Sequence, residues 1–113
     1  MSDLQVGVAQ VSLLMRHAVS LKDKRRVVQG LVQKLKNQGF AASPIGYEDE
    51  PKRAIVAFSA VGESASQLEQ RIDDALRLFV GDYEVLDSQR RVFDFSGEEE
   101  ENISEDEELK FGL

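Results

Sequence analysis

The stretch from Ser20 to Gly39, SLKDKRRVVQGLVQKLKNQG, decides the architecture of this chain. Ser20 is a helix-capping residue, and Asp23 three positions on makes a short-armed capping box with it. Leu21, Val27, Val28, Leu31, Val32 and Leu35 then fall on one helical stripe. Asn37 and Gln38 lead to Gly39, the left-handed residue that ends such a helix. A helix with one apolar stripe needs a sheet or a second helix to lie on.

Working outward supplies the sheet. Upstream, Leu4, Val6 and Val8 alternate with Gln5 and Gly7, and an apolar run continues from Val11 to Met15, predicting a first strand that ends near Arg16. Downstream, Phe40 to Ile45 is a weaker strand, and Pro44 puts it at an edge. Gly46 to Pro51 makes a turn, and Arg53 to Val61 is the best strand in the chain. A second helix follows, capped by Ser64 or Ser66, with Gln67 or Glu69 respectively three residues later. Its stripe is Leu68, Ile72, Ala75, Leu76 and Phe79, Gly81 stops it, and Val85 to Phe95 is the last strand.

The order is β-α-β-β-α-β. Its compact solution is an α+β, ferredoxin-like split βαβ, with an antiparallel sheet and both helices on one face. Right-handed crossovers give strand order 4-1-3-2. The other face of the sheet needs an explanation. Strand one is apolar at both parities, with Leu4, Val6 and Val8 against Val11, Leu13 and Met15. A sheet covered on one side should alternate more cleanly. Either the open face meets a partner, such as a second subunit, or a β-bulge near Ala9 switches parity.

Composition sets the outer bounds. The chain has 113 residues, enough for one core, with 42% hydrophobic and 31% charged residues. It has no cysteine, which removes disulfides and thiol chemistry. Met1 to Gln5 has no basic segment, and Gln10 and Ser12 interrupt the apolar run behind it. No signal peptide or membrane span is expected, so the expected location is the cytoplasm.

The net charge of −7 is unevenly distributed. Residues 98–113 hold eight acids and one base, Lys110; removing these from the 21 acids and 14 bases leaves 13 of each in residues 1–97. The expected division is a neutral domain over 1–97 and an acidic, disordered tail over 98–113. The tail is either solubilising or an internal polyanion that competes for a basic surface. Leu109, Phe111 and Leu113 at its end resemble a short docking motif, and Ser104 with Glu107 could start a helical turn.

That basic surface is the head of the first helix. Arg16, Lys22, Lys24, Arg25 and Arg26 lie within eleven residues, together with the single histidine, His17. At about 100° per residue, Lys22, Arg25, Arg26, Gln29, Gln33 and Lys36 share an outward face with no acid spaced to pair with its bases. Cations in a first turn oppose the helix dipole, and solvated helices normally mix signs through i,i+4 pairs. An anionic partner, phosphate above all, would account for the pattern. Lys24 is different: it lies in register with Val28, Leu31 and Leu35, which points to a structural role.

The run Ser20-Leu21-Lys22-Asp23-Lys24-Arg25-Arg26-Val27-Val28 resembles the S-L-K-D-K-R-R-hydrophobic motif of the YlxP-like family of bacterial domains. The resemblance extends more loosely over most of residues 4–93. It implies a ferredoxin-like fold. Some members are encoded among genes for translation initiation and ribosome maturation, which implies an RNA- or ribosome-linked role, and the family brings no established enzymatic activity. The Glu48-Asp49-Glu50 turn and the acidic tail depart from the family pattern.

Other chemistry is thin. His17 has no acid near it in sequence, and Glu48, Asp49 and Glu50 match no calcium-loop spacing. There is no nucleophile elbow and no nucleotide-binding glycine loop. No metal site and no cofactor are expected. An RNA-recognition sheet would carry exposed aromatics on its two central strands; strand one has none and strand three only Phe58. RNA contact is therefore expected through the helix.

The leading expectation is a non-enzymatic cytoplasmic protein that binds RNA or a ribosomal assembly through Lys22, Arg25 and Arg26, with Arg16, Lys24 and Lys36 as neighbours; no DNA specificity is inferred. A homo-oligomeric scaffold joined through the open sheet face is the alternative. An enzyme holding a small anionic substrate at the Ser20 helix ranks last.

Overall fold

The structure, a computed structural model, describes residues 4–96. The expected tail, with its acidic run and terminal Leu109, Phe111 and Leu113, lies outside them. The elements are β1 (Gln5–Leu14), α1 (Leu21–Asn37), β2 (Ala41–Ile45), β3 (Arg53–Gly62), α2 (Ala65–Leu76) and β4 (Glu84–Asp94). All strand pairs are antiparallel, in the order β2-β3-β1-β4. Taken from the β4 edge the same sequence of strands is 4-1-3-2.

Both ends of α1 close as their residues dictate. The Ser20 hydroxyl accepts from the Asp23 amide at 3.2 Å, and the Asp23 carboxylate accepts from the Val19 amide at 3.0 Å. At the other end Gly39 takes φ +92°. The Phe40 amide then reaches the Leu35 carbonyl at 3.1 Å and the Gly39 amide that of Lys36 at 3.0 Å, a Schellman closure. Phe40 and Leu35 are both buried beside it. The buried stripe is Lys24, Val28, Leu31, Val32 and Leu35. Val27, expected on the stripe, sits at its margin and stays 38% exposed.

Ser64, not Ser66, caps α2, its hydroxyl accepting from the Gln67 amide at 3.2 Å. The helix stops at Leu76 rather than at Gly81. The amides of Leu78 and Phe79 turn back to Ala75 and Leu76 in tighter i→i+3 bonds, which delivers Phe79 to the core.

One cluster joins both helices to the same sheet face. Ala9, Val11, Leu13 and Met15 of the β1 segment meet Ala54, Val56 and Phe58 of β3 beneath α1 and α2. Phe58 stands edge-on to Phe40 at 5.0 Å and stacks on Phe79 at 6.2 Å, linking the two helical halves.

The β1–β3 ladder runs unbroken from Gln5↔Gly62 to Leu14↔Arg53, so no bulge near Ala9 switches the parity of β1. The cause is volume. Gly7 and Ala9 point toward the helices because α2 comes close: a Cβ on Gly7 would lie 3.0 Å from Ile72 Cδ1. The larger Val6 and Val8 are thereby turned to the open face. The one irregularity lies between β1 and β4 at Ser12/Leu13, where Asp87 and Val85 are paired and Leu86 is the extra residue.

Candidate functional site

α1 presents its polar side to solvent, with Lys22, Arg25, Arg26, Gln29, Gln33, Lys34 and Lys36 all exposed. Lys22 and Lys36 stand at opposite ends of this face, about 21 Å apart along the axis at 1.5 Å per residue. Lys22, Arg25, Lys34 and Lys36 have no ion-pair partner among the described residues. Arg26 does have one. Its guanidinium comes within 3.9 Å of the Asp23 carboxylate, so Asp23 is not as far aside as the helical wheel implies. At 3.9 Å, on an exposed guanidinium, the pair is weak.

Two of the expected basic residues do not join this face. Arg16 binds Glu84 at the start of β4 at 2.8 Å, an ion pair between residues 68 positions apart. Lys24 is only 6% exposed. Its ammonium donates to the carbonyl of Tyr47, to that of Glu50 at 2.7 Å and to that of Arg53 at 3.1 Å. All three N–H donors are used, and the group has nothing left for a phosphate. This fulfils the structural role its place on the stripe implies.

Lys24 fixes the loop between β2 and β3. Gly46 and Tyr47 take consecutive left-handed conformations, φ +69° and +54°, and the Tyr47 carbonyl that follows accepts from Lys24 of α1. The Arg53 guanidinium lies over the Tyr47 ring at 4.8 Å and reaches its hydroxyl at 3.2 Å. Lys52, which carried no signal in the sequence, does the converse: its ammonium donates to the carbonyls of Arg16 at 2.7 Å and Ala18 at 3.1 Å. The head of α1 and the hairpin loop are thus bound in both directions.

Between them runs a groove of about 430 Å³, with Arg25 and Gln29 on the helix side and Glu48 and Asp49 on the loop side. Its charge is mixed, and a polyanion would meet Arg25 from the solvent side of α1 rather than from within the groove.

His17 is exposed and borders a small recess with Arg16 and Tyr83. The Tyr83 hydroxyl is buried with no hydrogen-bond partner, and this burial raises the phenol above its ordinary value of 10.0. No group of three or more acidic or histidine side chains able to hold a metal ion occurs among the described residues. Among the same residues, no helix is long and apolar enough to cross a membrane.

Comparison with known proteins agrees with the resemblance to the YlxP-like family. The chain is 31% identical over 72 residues to "Uncharacterized protein YlxP" of Bacillus subtilis (strain 168), covering 63% of this chain and 78% of that protein. Residues 6–90 match the model of the family described as "Protein of unknown function (DUF503)". That span takes in β1 through most of β4, including the whole of α1 and the hairpin loop it holds, and the chain belongs to the DUF503 family.

Proposed function

We propose that this is a cytoplasmic, non-catalytic protein that binds RNA, within a ribosomal assembly, along the exposed face of α1. One observation carries the proposal: Lys22, Arg25 and Lys36 stand on a single helix face with no ion-pair partner among the described residues, and Arg26 is held only loosely. Lys22, in the first helical turn, opposes the helix dipole, whereas Lys36 sits in the last turn where the dipole favours it. The cost lies at the head of α1, and polyanion binding offsets it there. We read the fold as ferredoxin-like, and this too favours the helix. Phe58, the aromatic of the central strands, is buried against the helices, so β1 and β3 offer no stacking platform to bases.

Arg16 and Lys24 are left out of the contact set, since Glu84 and three carbonyls occupy them. Contacts of this kind read backbone phosphate and not sequence. The test is binding of structured RNA by the full chain over a salt series. Affinity should fall with a slope of roughly 0.7–0.9 per phosphate contacted. Replacing Glu98 to Glu101 with glutamine should tighten binding if the tail competes for the same face. A flat salt response sinks the proposal.

A further inference from the structure

The sheet face turned away from the helices carries an unusual surface. The ladders assign its positions: the even residues of β1, the odd residues of β2, and the odd residues of β3 beside them. Arg53 at the hairpin end is charged. The other twelve positions on these three strands hold no charged side chain, in a chain that is 31% charged. Val8 at 40% and Val61 at 62% exposure stand out from it. Two shallow depressions, of about 260 and 360 Å³, flank Val8 and Ala57. A solvated antiparallel face is normally polar and charged on its outward side. Loss of charge at the centre with charge kept at the rim is the composition of an interface.

We propose that this face is where a second copy of the chain packs, sheet against sheet. β1, β3 and β4 of ten or eleven residues and β2 of five, at about 4.8 Å spacing and about 3.3 Å per residue, cover roughly 570 Å² before side-chain relief is counted. That approaches the roughly 800 Å² per partner of a standard specific interface, so one copy of the same sheet matches the area available. The charge layout is self-complementary. On β4, Asp87 and Arg91 lie either side of the row where the Gln10 and Gln89 amides meet at 3.3 Å. A two-fold axis along that row sets Asp87 of one copy over Arg91 of the other. Pairing through an edge is disfavoured at both ends of the sheet: β2 is short and contains Pro44, and β4 is bent by its extra residue, Leu86. In such a pair the two α1 faces point outward on opposite sides.

The experiment is sedimentation equilibrium of the full chain without nucleic acid, from about 1 to 300 µM, because an interface of this size associates in a concentration-dependent way. The wild type should rise to twice the chain mass. Val8→Lys should remain at single mass with an unchanged circular dichroism spectrum, since the side chain is already exposed. Gln10→Glu, which brings two like charges together at the axis, should also dissociate the pair and should recover it as salt is raised. A wild type that stays at single mass throughout overturns the proposal. So does a dimer that both variants leave intact.

Discussion

Lys24 and Lys52 each reach into the segment from which the other's surroundings come. The α1 lysine gathers carbonyls from residues 47–53, and the lysine of that hairpin gathers carbonyls from residues 16–18. The Met15 amide completes the tie by donating to the Lys52 carbonyl at 2.8 Å. The β1–α1 connection and the β2–β3 loop therefore hold one conformation together, and the exposed bases of α1 project from that joint.

Lys24→Met should lower stability by roughly 2–4 kcal/mol, because it keeps the apolar stem and leaves three carbonyls without their donor. Denaturant unfolding of both lysine variants measures this. Lys52→Met should cost less, as the Lys52 side chain lies nearer solvent. Equal losses would mean that burial does not set the strength of the two ties.

Lys22→Ala and Arg25→Ala should each weaken RNA binding and reduce the salt slope by about 0.7–0.9. Arg16→Ala should leave the slope unchanged, since its guanidinium is engaged by Glu84. Filter binding at four salt concentrations separates the two classes. A slope that falls equally in all three variants would argue against the α1 face as the contact surface.

Tyr83→Phe should stabilise the fold by about 1 kcal/mol, because the hydroxyl is buried without a partner. The same burial raises the phenol's pKa, so the stability it permits is complete below about pH 10 and is lost as pH climbs through the raised value. Thermal melts from pH 7 to 11 should show an alkaline decline that is shallower in the phenylalanine variant.

Gly7→Val should destabilise by roughly 1–3 kcal/mol through the clash with Ile72 Cδ1, which a Cβ already meets at 3.0 Å. Ile72→Ala introduced with it should recover part of the loss. A double-mutant cycle with no coupling between the two positions would show that α2 shifts freely away from the sheet.

What could be foreseen from the chain follows the range of the forces involved. Ser20, Asp23 and Gly39 act within a helical turn of their own positions, and the caps they promise are the caps that form. The position of Lys24 on the apolar stripe was equally legible. Its partners were not, since every residue has a carbonyl and nothing in the sequence marks those of Tyr47, Glu50 and Arg53. The Arg16–Glu84 pair spans 68 positions and depends on β4 lying beside β1, which no local pattern contains. The parity of β1 was ambiguous because both sets are apolar; the size of Gly7 and Ala9 against Val6 and Val8 was the discriminating clue. The end of α2 was misplaced because Leu78 and Phe79 prolong the apolar pattern past Leu76, where the chain has already left the helix.

Three backbone oxygens converging on one point make the kind of nest that elsewhere holds a hard metal ion. Here the occupant of the nest among Tyr47, Glu50 and Arg53 is an ammonium carried on a side chain of the same molecule. Its local concentration is set by the covalent chain and not by the medium. The group that closes the loop therefore travels with the chain and does not have to be drawn from solution.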